Sequence, residues 1–180
     1  NNNGSTAEDY ITGEYQDTAE KGVWISFSEI NSMLKSEDGF KSAFSAAVSD
    51  CTELVINEIY IHVRAYCDSL YPSDLFPIID EAKEFDYDAF AYALELCHSV
   101  GIKVHAWINP YRVLSSSEDI EKAGPESPAY KWLNDDNPDN DLNVIKYNGI
   151  YLNPAQDEVR ELIINGVKEI ADKYAIDGLH

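Results

Sequence analysis

Apolar residues recur along this chain in two alternating patterns. Three segments carry them at the spacing of one helix face, and between these lie short segments that are apolar on both sides. The helical stripes cover residues 40–55, 90–97 and 159–170, and the short apolar segments cover residues 22–27, 57–63, 102–107 and 174–180. Because strands buried on both faces are typical of parallel sheets, the order β-α-β-α-β-α-β predicts an α/β fold with helical crossovers between parallel strands.

Cap signals indicate where two of the helices begin. Ser36 is placed to cap the first helix. The third helix has the clearest signal, because Asn153 is followed by Pro154 and then by Gln156, the pattern of an N-cap, a proline in the first helical position and a capping-box residue. We therefore predict Asn153 as the N-cap of the third helix.

The connections between the predicted elements are unequal in length. The connections that follow strands are long and cover residues 64–85 and 109 to about 149. The connections that follow helices are short and consist of little more than one residue each, Asn57 and Gly101. In (β/α) barrels the loops after the strands form the functional face. An open doubly wound sheet also binds its ligand at that end of the strands. Loop length therefore indicates the functional end without separating the two folds.

The chain divides into a polar leader and one domain. Residues 1–20 have no apolar periodicity and are rich in Asn, Thr, Asp and Glu, which predicts a flexible leader, and residues 21–180 form the domain. No segment approaches the run of ~18 apolar residues that a membrane helix needs, and no signal peptide is recognisable. Membrane insertion is therefore not expected.

The charge of the chain narrows the classes of partner. The formal net charge is -20 at pH 7. Such a surface repels nucleic acid phosphates and anionic lipid, so neither is an expected partner, whereas a neutral glycan meets no such repulsion. An equally acceptable interpretation is that the acidity serves solubility alone.

Neither a disulfide framework nor a cofactor motif is present. The three cysteines, Cys51, Cys67 and Cys97, are odd in number and widely spaced, and two of them lie on apolar helix faces, so we expect buried thiols. Residues 135–141 are rich in Asp and Asn but lack the glycine and glutamate of a calcium loop, so we favour a solvated loop without metal. No GxGxxG or phosphate-binding loop occurs, and no cofactor is expected.

Polar and aromatic side chains follow the predicted strands where packing alone does not require them. The candidate site residues are Arg64, Asp68, Tyr71, Trp107, Asn109, Tyr111, Arg112 and, at the end of the last strand, His180. The aromatic rings offer flat faces to pyranose rings, and the asparagine and the arginines offer the donors and acceptors that sugar hydroxyls need. The two arginines are also suited to hold loops by pairing with acids, and Asn109, which precedes a proline, is suited to a turn.

Four further residues have a structural interpretation beside a functional one. His62 lies an even number of residues from Arg64, and His105 lies an even number of residues from Trp107 and Asn109, so each histidine is expected on the strand face that points into a barrel. A histidine inside a strand is nevertheless more often hydrogen-bonded core than ligand. Trp24 is as consistent with plain core as with a site. Asp177 stands before the end of its strand, which favours a structural role.

Five stretches of the chain resemble the glycosyl hydrolase-like 10 family over residues 22–180. They are residues 22–24 (GVW), 63–73 (VRAYCDSLYPS), 105–113 (HAWINPYRV), 151–154 (YLNP) and 177–180 (DGLH). The resemblance implies a parallel (β/α) TIM-type barrel of which this chain contains about the first half, four strands of eight. It also implies an extracytoplasmic protein, secreted or surface-anchored, that acts on glycans such as peptidoglycan strands stripped of their peptides.

The resemblance also implies where the catalytic acids lie. In the family the Gly-Leu-His stretch continues into a phenylalanine, two aspartates and a tyrosine, and here it stops at His180. Asp68 is therefore a weak catalytic candidate within the chain, since glycoside hydrolysis usually needs two carboxyl groups. We expect the 180 residues alone to be inactive, and a half barrel, with an open edge, to self-associate.

Two functions remain open at this stage. The first is a glycoside hydrolase acting on cell-wall or other polysaccharide glycans, and the second is a glycan-binding module without catalysis. The sequence does not determine the sugar, the linkage, or whether hydrolysis retains or inverts the anomeric configuration.

Overall fold

The helices and strands are those of a computed structural model that describes residues 20–117 and 119–180. The predicted leader, apart from its last residue, lies outside the described residues. The strands are β1 (Gly22–Ile25), β2 (Glu58–Arg64), β3 (Lys103–Ile108), β4 (Arg112–Leu114), β5 (Val144–Lys146), β6 (Ile150–Leu152) and β7 (Gly178–Leu179). The α-helices are α1 (Phe27–Met33), α2 (Glu37–Glu53), α3 (Ala89–Ser99), α4 (Pro128–Asn134) and α5 (Asp157–Lys173), and 3-10 helices span Asp80–Ala82, Ile120–Ala123 and Asn140–Asn143.

The main sheet consists of four parallel strands in the order β1-β2-β3-β7. The predicted α/β fold with a parallel sheet is thereby confirmed. A doubly wound sheet reverses its strand order at a switch point. The four described strands follow one another in chain order without such a reversal, so every crossover moves in the same direction across the sheet.

One face of the main sheet packs against helices. Its strands contribute a row of buried aliphatic side chains: Ile59, Ile61, Val63, Val104, Ala106 and Ile108. These belong to one core with Phe44 of α2 and Phe90 of α3, both fully buried. Cys51 and Cys97 lie in the same core, and their thiols are free, as expected for small buried hydrophobes.

The structure confirms one predicted cap and corrects the other. Ser36 caps α2, its hydroxyl accepting a hydrogen bond from the amide N–H three residues later at 3.0 Å. The N-cap prediction for Asn153 is wrong, because α5 begins only at Asp157. The side chain of Asn153 is engaged elsewhere, accepting from the amide of Ala155 at 3.1 Å and donating to the carbonyl of Leu142 at 2.8 Å.

The long connection between β3 and α5 contains secondary structure that its sequence pattern does not predict. Strands β4, β6 and β5 form an antiparallel sheet in that spatial order, and α4 packs beside it. These elements build a second core, whose buried members are Cys67, Phe76, Val113, Ala129, Ile150, Leu152 and Val159. Each of the three strands has only three residues, too few for an alternating pattern to be recognised.

Two sequence expectations concern membranes and metals. Within residues 20–117 and 119–180, no helix is both long and apolar enough to cross a membrane. The same described residues contain no group of three or more His, Cys, Asp or Glu side chains placed to hold a metal ion. In the stretch 135–141, Asp135 accepts hydrogen bonds from the amide of Asn137 at 3.0 Å and the side chain of Asn140 at 2.7 Å.

Candidate functional site

Arg64 ends β2 but turns away from the open face of the sheet. The register of β2 against β3 shifts between His62 and Arg64, so that Arg64 pairs with Ile108, a residue of the helix-facing core. Its guanidinium carbon lies 3.6 Å from the centre of the Phe76 ring, and the side chain is only 1% exposed. Gly166 of α5 leaves room for the Arg64 guanidinium, because a Cβ at position 166 would lie 2.6 Å from Nη1 of Arg64.

Tyr71 is likewise a core residue. Its ring contacts those of Phe90 and Tyr174, with centroid distances of 6.1 and 5.4 Å, and no part of it is exposed. Burial raises the pKa of Tyr71 to about 12. The expectation that Arg64 and Tyr71 face a sugar therefore does not match their placement, since both side chains are enclosed by the helix layer.

The residues after Tyr71 anchor this loop to α5. The carboxylate of Glu169 accepts hydrogen bonds from the Ser73 hydroxyl at 2.6 Å and the Asp74 amide at 2.7 Å, and Lys173 donates to it at 3.1 Å. Burial acts to raise the pKa of Glu169, but these hydrogen bonds outweigh it and hold the pKa below its usual value. The Tyr-Pro-Ser stretch of the family-like motif thus has a structural explanation.

Asn109 joins the ends of the two central strands. Its amide N–H donates to the carbonyl of Arg64 at 2.8 Å, and its side-chain Nδ2 donates to the carbonyl of Ala65 at 3.1 Å. Tyr111 is 38% exposed. Arg112, in β4, lies over the ring of Tyr66 at 5.2 Å from its centre. These residues surround the carboxyl end of the sheet, and Asn109 fixes the backbone there.

The open face of the main sheet is lined with aromatic and histidine rings. Trp24, Tyr60 and His105 form one stack across three strands, with centroid distances of 4.5 Å between neighbours. His180 extends over them from β7, and its Nε2 accepts a hydrogen bond from Nε1 of Trp24 at 3.3 Å. Side chains of both edge strands therefore meet above the central strands, although in a flat sheet those edges would be about 14 Å apart.

A second ring pair lies nearer the carboxyl end of the strands. His62 stacks on Trp107 with a centroid distance of 3.8 Å, and His180 contacts the same Trp107 at 5.9 Å. His62 is 4% exposed, and neither ring nitrogen makes a well-aligned hydrogen bond among the described residues, although the backbone of Arg64 interacts with the ring. Burial, together with the charge of Arg112, lowers the pKa of His62 to about 4, so the ring is neutral at pH 7.

Two adjoining clefts open at this end of the sheet. The inner cleft, of about 230 Å³, is lined by Phe27, Ile30, Asn31, His62, Val63, Ala65, Tyr66, Asp68, Leu70, Ile79, Asp80 and Glu81. The outer cleft, of about 450 Å³, lies between the loop after β2 and the β4 segment and is lined by Tyr66, Cys67, Asp68, Pro77, Ile78, Ile79, Asp80, Lys83, Val113, Leu114, Lys122, Ala123, Gly124, Pro125 and Glu126. Four residues line both clefts: Tyr66, Asp68, Ile79 and Asp80.

Asp68 is a half-buried carboxyl group at the junction of the clefts. Its Oδ1 accepts a hydrogen bond from the amide of Tyr66 at 3.1 Å. Burial raises the pKa of Asp68 to about 6, although the Tyr66 amide and the charge of Arg64 act in the opposite direction. A carboxyl group with a pKa of about 6 is protonated in about a tenth of the molecules at pH 7 and in about half of them at pH 6, and the protonated form can donate a proton to a ligand.

Several lining residues were missed by sequence reasoning. Phe27 and Tyr66 form aromatic walls of the inner cleft, and Asp80 and Glu81 form its acidic rim. Phe27 lies two residues after the end of β1, and Arg64 is the last residue of β2, so the place of Phe27 near a strand end was an available signal. The acids of the 3-10 helix at Asp80–Ala82 lie in mid-loop without a motif around them, and only the folded loop brings them to the cleft.

Asp177 has the structural role that its position suggested. Its Oδ2 accepts a hydrogen bond from the amide of Val104 at 2.7 Å and lies 2.8 Å from Nε2 of His98. The carboxylate therefore fastens the segment before β7 to the beginning of β3 and to α3. It takes no part in either cleft.

Solved structures share the fold of the chain. An α-L-fucosidase isoenzyme 2 from Paenibacillus thiaminolyticus matches with a TM-score of 0.52 and 20% identity, over 88% of this chain and 22% of that one. A maltogenic α-amylase, AmyB, from Thermotoga neapolitana matches with a TM-score of 0.53 and 12% identity, over 88% of this chain and 38% of the other. At these identities the likeness concerns the fold alone.

Curated relatives and a family model identify the sequence family. Glycosyl hydrolase YngK of Bacillus subtilis is 28% identical over 182 residues, which are 95% of this chain and 34% of that protein. Glycosyl hydrolase DigH of Escherichia coli K12 is 28% identical over 138 residues, 70% of this chain and 30% of DigH. The chain thus spans about a third of the length of these relatives. The model of the glycosyl hydrolase-like 10 family matches residues 20–180, and the chain belongs to that family.

Proposed function

We propose that this chain is part of a glycoside hydrolase acting on cell-wall or other polysaccharide glycans. The observation that carries the proposal is the position of Asp68, a half-buried carboxyl group between two clefts at the carboxyl ends of parallel strands. Ligands of α/β proteins with such sheets bind at that end of the strands. Membership of the glycosyl hydrolase-like 10 family and the names of the curated relatives support the same reaction class.

A glycan lying along the two clefts would pass over Asp68. Protonation of the leaving oxygen requires a carboxyl group that carries a proton near neutral pH, and a pKa of about 6 suits Asp68 to that task. The half-buried rings of Phe27 and Tyr66 supply apolar surface for sugar faces. We assign Asp68 the role of proton donor and assign no second catalytic carboxyl group within the 180 residues.

We also infer that the main sheet is about the first half of a (β/α) barrel. The strands follow chain order, as in a barrel, and the open face carries a large ring, Trp24, that is 49% exposed. Further strands would cover that face and supply the second carboxyl group. The 180 residues are then expected to bind glycan without hydrolysing it. We expect the protein to be extracytoplasmic, because cell-wall glycans are found outside the cytoplasm.

The test compares this chain with the product of the complete gene. Both are incubated with peptide-free peptidoglycan strands and with N-acetylglucosamine oligomers, and the products are separated by chromatography. We expect turnover only by the complete product, and Asp68→Asn in that product should lower kcat by ~10²–10⁴. Binding without turnover by the complete product would instead support a non-catalytic glycan-binding module.

A further inference from the structure

The inner cleft has a chemical character that hydrolysis by itself does not require. Its lining contains three carboxyl groups, those of Asp68, Asp80 and Glu81, and two aromatic rings, those of Phe27 and Tyr66. Among its twelve lining residues, all of them described, there is no lysine or arginine. A space with this lining attracts a cation and repels an anion.

The two rings form a corner of the cleft. Phe27 and Tyr66 are in edge-to-face contact, with centroids 5.5 Å apart and planes at 76°. Phe27 meets His62 in a similar way at 5.9 Å. Both rings are half-buried, so each keeps surface available to a ligand. The faces of aromatic rings attract ammonium groups through their negative electrostatic potential.

The carboxyl groups lie at two depths. Asp80 and Glu81 are exposed at the rim on the 3-10 helix, and neither has an ion-pair partner among the described residues. Asp68 is half-buried below them. The carboxylates of Asp80 and Glu81 are therefore solvated, whereas the carboxyl group of Asp68 is partly shielded from water.

His62 provides an independent indication that the cleft receives a ligand. It lies in the lining, 96% of its surface is covered, and neither ring nitrogen makes a well-aligned hydrogen bond among the described residues, the interaction with the backbone of Arg64 being poorly aligned. Buried polar groups in folded proteins are nearly always hydrogen-bonded. A neutral imidazole offers one donor and one acceptor, which matches a sugar hydroxyl.

The cations of this region lie outside the inner cleft. Arg112 contacts Tyr66 but is not part of the lining, and Arg64 is enclosed on the helix side of the sheet. Lys83 and Lys122 line the outer cleft. The two clefts therefore differ in charge, and only the inner one is without a basic side chain in its lining.

We propose that the inner cleft binds a sugar unit bearing a free amine, such as the glucosamine of a de-N-acetylated glycan. This inference rests on the proposed function. The ammonium group would lie against Phe27 and Tyr66 and pair with the carboxylates, while a hydroxyl of the same sugar reaches His62. N-acetylation removes the positive charge, and a carboxylated sugar adds a negative one, so both modifications weaken binding in this cleft.

The first experiment uses calorimetry to measure the affinity of the protein for three sugar tetramers, those of glucosamine, N-acetylglucosamine and galacturonate. At low salt we expect the glucosamine tetramer to bind at least about five-fold more tightly than the acetylated one, and the galacturonate tetramer to bind weakest. The preference should shrink at high salt, because salt screens the exposed rim charges. Equal affinity for the amine and acetylated tetramers would overturn the proposal.

A matched pair of variants separates the cleft from the general acidity of the protein. Asp80→Asn with Glu81→Gln removes two rim charges, and Asp172→Asn with Glu158→Gln removes the same two charges from the exposed surface of α5. We expect the cleft pair to weaken binding of the glucosamine tetramer by about three- to ten-fold and the α5 pair to change it little. An equal loss in both would mean nonspecific attraction and would reject the site.

A third variant tests the contribution of His62 to binding in the inner cleft. His62→Phe keeps a ring against Trp107 but removes both nitrogens, and it should weaken the glucosamine and acetylated tetramers alike. If the amine preference is absent while the complete gene product still cleaves glycans, this inference fails and the proposed function stands. If no tetramer binds and no glycan is cleaved, both fail together.

Discussion

The two faces of the main sheet are built by the same strands and differ sharply in character. The helix-facing side is aliphatic, and residues such as Ile61 and Val104 are fully buried there. The opposite side carries stacked rings, including Trp24 at 49% exposure and His62, whose ring nitrogens make no well-aligned hydrogen bond among the described residues. Aliphatic packing on one face stabilises the fold, whereas rings and polar atoms on the other leave surface and hydrogen-bonding capacity available to a ligand.

Removing a large side chain from the helix-facing core should have the largest effect. Phe44→Ala empties a fully buried position, so we expect it to lower the free energy of unfolding by about 3–5 kcal/mol. Trp24→Ala, on the other face, removes a half-exposed ring and should cost about 1 kcal/mol. Urea unfolding followed by circular dichroism measures both. Similar losses would show that the ring-lined face is packed as tightly as the core.

The ring-lined face should make stability depend on pH through His62. Its pKa is about 4 in the folded protein and ~6.5 when unfolded. Below pH ~6.5 the unfolded chain binds a proton at His62 that the folded protein does not, so the contribution of His62 to stability falls between pH ~6.5 and 4, by roughly 3 kcal/mol. Asp68, whose pKa is raised to about 6, contributes in the opposite direction, so the measured quantity is the difference between the pH profiles of the parent protein and His62→Phe, which should show the loss due to His62. Phe44→Ala, which removes no titratable group, should lower the whole curve without changing its slope.

Close packing between β7 and β3 depends on a glycine on the ring-lined face. A Cβ at Gly178 would lie 2.3 Å from Nδ1 of His105, so Gly178→Ala should destabilise the protein by about 1–3 kcal/mol. The double variant with His105→Ala should recover much of that loss, and a double-mutant cycle measures the coupling. Additive losses would mean that backbone freedom at Gly178, and not His105, accounts for the effect.

The weakest effect expected is self-association through the sheet edge. Strand β7 pairs with β3 on one side and with no described strand on the other, and Leu179 on it is 44% exposed. An open edge of this kind favours pairing between copies. Light scattering should show association that rises with concentration and that Leu179→Lys reduces. A monomer at every concentration would indicate that the edge is protected.

Sequence reasoning predicted which end of the sheet the candidate residues lie near better than it predicted where their side chains point. Trp107, His180 and Asp68 lie at the open face or the clefts, where strand ends placed them. Arg64 and Tyr71 follow the same strand and were expected to line the site, but both are enclosed. A one-residue register shift after His62 places the Arg64 side chain on the opposite face of the sheet. The residue types along the strand do not predict that shift.

The sequence by itself determined the elements whose pattern is long enough to be periodic. Stripes over α2, α3 and α5 and apolar runs over β1–β3 predict the parallel sheet, because burial of a continuous apolar face is a local property of the chain. The tertiary structure alone decided the short antiparallel sheet of β4, β5 and β6 and the two clefts. It also decided the meeting of Asp68 with Asp80 and Glu81. Those features depend on contacts between distant loops, and the free energy that fixes them comes from packing that no single segment encodes.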